Sequence, residues 1–269
     1  MTTILNKIET SGNSLMKNHE CCVQILPSNS GKINFFVENS TEPIELNIES
    51  VISTDHCVTL GNKKSKVMLV EHFSAACAIL GIDSINVHLS KPEMPIFDGS
   101  AMVWVDLFKK AGVEKPKKLE YKVQEPVYYL NGKTHLAIIP DEELNITYSV
   151  NYDHPELKGK WVSLNKKNID EIVQARTFGF LKDLKKYQMF GFAKGVTVEN
   201  TVGLKDEGYT TELRSEYEPI KHKILDLIGD LYLTGVSPLD MKAQIIVKEA
   251  GHAVHVKAAK LLKNKLIKN

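Results

Sequence analysis

Ile220-Lys221-His222-Lys223-Ile224-Leu225-Asp226-Leu227-Ile228-Gly229-Asp230-Leu231-Tyr232-Leu233 decides the architecture, because its apolar residues recur with helical period and no strand-like alternation interrupts them. The reading predicts one long helix over Glu216 to Leu233. A second stretch, Met68 to Leu80, carries Ala75, Ala76, Cys77, Ala78 and Ile79 and is apolar almost all round, as expected of a helix buried on every side; Gly81 closes it.

Working outward, residues 2 to about 66 read as short strands separated by turn signals: Cys22 to Leu26, then Ser28-Asn29-Ser30-Gly31, then Ile33 to Val37, then Ile44 to Ile48 with clean alternation. An antiparallel sheet is implied. After the Met68 to Leu80 helix come a strand (Ile85 to Leu89), a Pro-containing loop (Lys91 to Gly99) and an amphipathic helix (Ser100 to Lys110). Gly112-Val113-Glu114-Lys115-Pro116-Lys117-Lys118 combines Gly, Pro and a charge run and is the expected linker. The second half restarts with strands (Tyr121 to Tyr129, His135 to Ile139, Leu144 to Tyr152) and a helix from about Ile169 to Ala175. An irregular region, the long helix, a strand (Lys242 to Val247) and a last helix (His252 to Ile267) follow. The order sheet, helix, strand, loop, helix thus occurs twice. The fold class expected is α+β: two similar domains, residues 1–114 and 119–269, each an antiparallel sheet with a helix pair. If helix layer packs on helix layer, a cleft forms where they meet.

With 269 residues, 43% hydrophobic and 25% charged, the chain has the composition of a globular protein with room for two modest cores. Its net charge of +1 gives no whole-molecule field for nucleic acid or an anionic partner, so an anionic ligand must be held by a local cluster. No apolar run approaches the roughly 20 residues of a membrane span, and the N-terminus lacks a secretory h-region. A cytoplasmic monomer is expected. Cys21, Cys22, Cys57 and Cys77 lack CxxC spacing and read as reduced thiols.

The chemistry sits on the two decisive stretches. His222 and Asp226, at i and i+4, project from one helix face, and Glu71-His72 adds a carboxylate beside another imidazole. Two His and one Asp are three ligands for a tetrahedral zinc ion, leaving a fourth position for water, with Glu71 as the base. An i,i+4 His–Asp pair alone is often only a surface hydrogen bond, and Glu71 could simply favour a helix N-terminus. Asp226, however, lies among Ile224, Leu225, Leu227 and Ile228, where a carboxylate needs a cation. Asp230, one turn on, can reach a further imidazole, for which His252 after Gly251 is the candidate, a pair suited to general acid or oxyanion work. Ala175-Arg176-Thr177-Phe178-Gly179-Phe180 reads either as a helix end closed by Gly or as a pocket rim carrying the Thr177 hydroxyl. Lys223 is either solvated or turned towards a phosphate-bearing substrate, and Phe190 to Leu204 either an apolar flap or a hairpin.

In Val70-Glu71-His72, Pro95 to Ala101, Tyr152-Asp153-His154-Pro155, Ala175 to Phe180, His222 to Leu233 and Gly251-His252-Ala253, the chain resembles the UDP-3-O-acyl-N-acetylglucosamine deacetylases of lipid A biosynthesis. The matches run from about residue 58 to the C-terminus in family order. The resemblance implies a zinc amidohydrolase whose helices are sandwiched between two outer sheets. Its metal ligands would be His72, His222 and Asp226, with Fe(II) as an alternative ion. Glu71 would be the general base, His252 paired with Asp230 the cationic acid or oxyanion stabiliser, and Thr177 a residue polarising the scissile carbonyl. Lys223, Phe178 and Tyr152 would contact the UDP-linked acylated amino sugar, with Tyr152 where the family usually has a nucleotide-stacking Phe. An insert at about 181–211, with Phe190 and Phe192, would hold the acyl chain. Met16 stands where the family has His, and Glu249-Ala250 where it usually has Lys-Ser, Lys248 being displaced by one. The implied activity is hydrolysis of the N-acetyl group with release of acetate. Other readings are a zinc amidohydrolase on a different N-acyl sugar, or a non-catalytic paralogue binding a glycolipid or partner.

Overall fold

The computed structural model describes residues 1–116 and 119–268; Lys117 and Lys118 of the expected linker lie outside the described residues. In the first half, strands β1 (Ile8–Asn13), β2 (Glu20–Pro27), β3 (Ile33–Val37) and β4 (Ile44–Glu45) precede a small sheet of β5 (Val51–Ser53), β6 (Thr59–Gly61) and β7 (Lys66–Met68). Helix α1 (Glu71–Leu80), strand β8 (Ile85–Leu89) and helix α2 (Met102–Ala111) complete it. The second half holds β9 (Tyr121–Val123), β10 (Val127–Asn131), β11 (Thr134–Pro140), β12 (Asn145–Ser149), β13 (Trp161–Asn165), α3 (Ile169–Val173), β14 (Thr177–Phe180), α4 (Leu181–Met189) and β15 (Thr201–Leu204). After these come α5 (Glu218–Leu231), β16 (Met241–Lys248), α6 (His252–Lys263) and β17 (Leu266–Lys268).

The strand order β1-β2-β8-β3-β4 in the first sheet is repeated as β10-β11-β16-β12-β13 in the second. In both, the strand after the buried helix enters the centre, antiparallel to one neighbour and parallel to the other, β3 with β8 and β12 with β16. A parallel neighbour requires a crossover, which α1 and α5 supply, each covering one sheet face. The alternation follows: β16 buries Met241, Ala243, Ile245 and Val247 and leaves the intervening residues half-buried. The fold is α+β, and each sheet carries one parallel pair among antiparallel ones.

Helix α1 is buried from Glu71 through Ala78, and α5 at every position except Lys223. They pack on each other, with α2 on α1 and α6 on α5. Their crossing is close because Gly229 has no side chain: the Ser74 hydroxyl donates to the Gly229 carbonyl at 2.7 Å. Gly81 caps α1 in the left-handed conformation, φ 68°.

Several boundaries differ from the expectation. Helix α1 starts at Glu71, because Met68 ends β7 and Leu69 turns the chain at φ 62°. Pro126, which has no N–H, separates β9 from β10 where one strand was expected. The last helix stops at Lys263, and residues 266–268 return as an edge strand on β9. Strand β13, helix α4 and the parallel pair β14 and β15 were absent from the reading. Phe190 to Leu204 is therefore not a hairpin: it is the return from α4 into β15, which pairs parallel with β14. Among the described residues, no helix is long and apolar enough to cross a membrane, and the four cysteines are free thiols.

Candidate functional site

The first turn of α1 and the middle of α5 bring Glu71, His72, His222 and Asp226 together, all buried. The His72 and His222 rings stand 4.8 Å apart at 90°. Their Nε2 atoms lie 3.7 Å and 3.3 Å from Asp226 Oδ1. The backbone fixes one tautomer, since His222 Nδ1 lies 2.9 Å from the Ala175 carbonyl oxygen and as donor leaves Nε2 with a free lone pair. Burial, followed by the neighbouring ring, pushes His72 down to about 3; burial also lowers His222, so both rings are neutral and able to ligate. Burial alone would raise the Asp226 carboxyl, but Lys223, then the imidazoles, hold it well below the usual carboxylate range. Lys223 Nζ donates to Oδ2, while Oδ1 is buried without a hydrogen-bond partner.

That orphaned oxygen is the test of a metal. Four-coordinate zinc with ligands at about 2.0–2.1 Å separates them by roughly 3.3–3.4 Å along each tetrahedral edge, close to the spacing of Nε2 and Oδ1 here. The donor set therefore fits a divalent ion. Asp230, His252 and His255 also cluster, but there Oδ2 of Asp230 accepts from Nδ1 of both imidazoles at 2.8 Å, so those nitrogens carry protons and are not free to ligate.

His252 opens α6 and turns Nε2 towards Glu71 Oε1 (3.8 Å) and Asp226 Oδ2 (3.9 Å). Burial would lower it, but Asp230, Asp226 and Glu71 raise it to about 9, so it is cationic at neutral pH. Glu71 is raised to about 7, chiefly by burial, against the pull of His252. Its Oε2 accepts from Val58 N–H at 3.1 Å, which aims the carboxylate.

His255 and Tyr148 were missed by the sequence reading. His255 Nε2 lies 2.9 Å from the Tyr148 hydroxyl, so Tyr148, His255, Asp230 and His252 form one buried hydrogen-bonded chain. The signal was present: His255 follows His252 by three residues on a helix that starts at Gly251.

A cavity of about 580 Å³ joins this centre to an apolar passage. Its polar end is lined by Glu71, His72, His222, Lys223, Asp226 and His252, with Thr177, Phe178 and Tyr152 beside them. The passage continues along Leu181, Leu184, Tyr187, Phe192, Val196 and Val198. Met16 lines it as well, and Lys194 N and Gly195 N donate to the Met16 and Leu15 carbonyls, tying the segment after α4 to the first half of the chain. Asp230 is not among the lining residues; it touches the cavity's His252 from behind. Phe190 does not face the cavity; its side chain is 70% exposed, because α4 ends at Met189 and the chain turns inward only at Phe192. Glu249 sits at φ 51° at the end of β16, and Lys248 is turned to within 3.9 Å of it. Gly179 ends no helix; it lies within β14.

Gly229 sets the spacing of the centre, since a methyl there would fall inside the van der Waals shell of the Glu71 carbonyl oxygen and 3.2 Å from Ala75 N. Gly229→Ala is expected to cost about 1–3 kcal/mol by overpacking and to weaken metal retention by prising His72 from His222. Thermal unfolding together with metal content after dialysis checks this; a variant as stable and as metal-loaded as the parent would refute it.

Along most of its length the chain is similar to proteins of one family. The chain is 31% identical to the UDP-3-O-acyl-N-acetylglucosamine deacetylase of Leptospira biflexa, over 99% of this chain and 91% of that protein. It is 32% identical to that of Thermodesulfovibrio yellowstonii (94% and 88%) and 30% to that of a Nostoc strain (96% of each). A sequence model of UDP-3-O-acyl N-acetylglycosamine deacetylases matches residues 1–264, a span that contains both sheets of the repeat and every residue of the paired-imidazole centre, and the chain belongs to that family.

Proposed function

We propose that the protein hydrolyses the N-acetyl group of UDP-3-O-acyl-N-acetylglucosamine, releasing acetate, in the cytoplasmic stage of lipid A biosynthesis. The observation that carries this reading is one continuous cavity with a metal-competent triad at one end and an apolar passage at the other, sized for an amino sugar bearing a fatty acyl chain. Family membership supports it. We assign His72, His222 and Asp226 as the ligands of a zinc ion, for which Fe(II) is a possible replacement. Bound there, the ion would polarise the amide carbonyl and lower the pKa of a coordinated water towards ~7.

The side chains supply the rest. Glu71 accepts the proton of the attacking water, as a buried carboxylate raised to about 7 is suited to do near neutral pH. Cationic His252, oriented by Asp230, donates towards the oxygen on which negative charge develops and can then protonate the departing amine. Thr177 offers a hydroxyl to the same oxygen from the start of β14. Phe178 and Tyr152, with rings 5.5 Å apart, would form an aromatic wall for the sugar and its uridine, and Lys223, which lines the same cavity, would offer a cation to the diphosphate. Phe192 lines the acyl passage within the insert at about 181–211. The same reading treats residues 1–114 and 119–269 as two domains, supported by the repeated strand order.

Met16 occupies the cavity wall where the resemblance expects His. This apolar replacement favours, as a second reading, a related N-acyl sugar with different hydroxyl or phosphate contacts. Acetate release from UDP-3-O-acyl-N-acetylglucosamine by zinc-loaded protein separates the two. Turnover should be abolished by a chelator and restored by about one equivalent of zinc. Zinc binding without turnover on this substrate, but with turnover on another N-acyl sugar, would select the second reading.

A further inference from the structure

We propose that the outer surface of α4 and the turn that follows it is a docking face for an anionic phospholipid surface. Helix α4 is divided between two environments. Its inner side chains, Leu184 and Tyr187 with the carboxylate Asp183, line the cavity. Its outer side presents Lys182, Lys185 and Lys186, and the turn adds Met189 and Phe190, which are 87% and 70% exposed. Lys194 follows on the same segment, also exposed. Among the described residues none of these four lysines forms a salt bridge. Two large apolar side chains projecting next to unpaired cations on one short element have the composition of an interfacial anchor.

The face protrudes, whereas a helix or peptide partner would need a groove, and its charge complements acidic headgroups. It is also continuous with the wall of the apolar passage, so an acyl-bearing ligand entering or leaving the cavity would do so beside it. The whole molecule carries only +1, so the attraction is local to this patch and is screened over roughly 10 Å at 0.1 M salt. Each lysine near an anionic membrane contributes about a fivefold gain in partition, and one apolar anchor with a basic patch gives reversible rather than permanent attachment.

The test is co-sedimentation of the full chain with phosphatidylcholine vesicles, with and without about 30 mol % phosphatidylglycerol. No substrate is present, so its outcome is independent of whether the proposed hydrolysis is correct. Binding is expected to the anionic vesicles, weak or absent on the neutral ones, and lost at about 0.5 M salt. Lys182→Gln/Lys185→Gln/Lys186→Gln should reduce the partition on the order of 100-fold. Met189→Ser/Phe190→Ser should reduce it by about 100-fold or more, and both variants should unfold at the parent temperature because the replaced side chains are exposed. Failure of the parent to bind anionic vesicles, equal binding to both lipids, or unchanged binding by the variants would each overturn the proposal. So would a parent dimer that the Met189/Phe190 variant dissociates in sedimentation equilibrium without any vesicle binding, which would assign the face to a second copy of the chain.

Discussion

Glu71→Gln is expected to lower kcat by about 10²–10⁴-fold, the usual contribution of a positioned base, with zinc stoichiometry and melting temperature close to the parent's. The substitution is isosteric. Its amide oxygen can still accept the Val58 N–H that now reaches Oε2 at 3.1 Å, and it leaves His72, His222 and Asp226 in place. What disappears is the carboxylate oxygen Oε1, which stands beside the proposed ligands and can take a proton from water. Single-turnover acetate release on the metal-loaded variant is the measurement. Activity within threefold of the parent would remove Glu71 from the base role, and loss of zinc along with activity would show a structural part instead.

Arg176→Met is expected to destabilise the fold by about 3–5 kcal/mol, the usual result of stranding one charge of a buried ion pair, which lowers Tm by roughly 6–20 °C in a chain of this size. Arg176 is 5% exposed and Glu218 fully buried. They meet in a two-pronged pair, Nε to Oε1 at 2.8 Å and Nη2 to Oε2 at 3.0 Å. Glu218 also accepts backbone N–H groups from Arg176 and Arg214 at the positive end of α5. The pair therefore locks the segment that contains both Ala175, whose carbonyl holds His222, and Thr177, to the helix that carries the proposed ligands. The double variant Arg176→Met/Glu218→Gln should lose less than the sum of the two single changes, because no charge remains unpaired. Additive losses in chemical denaturation would show that the pair is not coupled in this way.

The helical periods of Met68 to Leu80 and Ile220 to Leu233, the Gly81 stop, and the duplicated order of elements were all legible from the chain. Each is written in local spacing, and burial on every side needs no knowledge of the partner to be recognised in a run such as Ala75 to Ala78. Helix α4 was not legible, because Leu181-Lys182-Asp183-Leu184-Lys185-Lys186 buries no residue fully and its apolar positions are few. The parallel pairing of β14 with β15 was equally hidden, since its register is set by chain segments more than twenty residues apart. Phe190 was expected in the acyl passage from the family resemblance of its segment, and the end of α4 turned it outward. The role of His255 was not legible because it depends on Asp230 and Tyr148, which enclose the imidazole only in the folded chain.

Residue types and their spacing were enough to settle that the chain builds two sheet-and-helix halves and places two imidazoles and a carboxylate on its buried helices. They could not settle how far apart those groups stand. The 4.8 Å between the rings of His72 and His222 depends on the closeness of α1 to α5 at Gly229, and the orphaned Oδ1 of Asp226 on which hydrogen bonds Lys223 does and does not make. The first is a distance between segments some 150 residues apart in the chain; the second joins neighbours on one helix, and Oδ1 is left without a partner only because packing buries it.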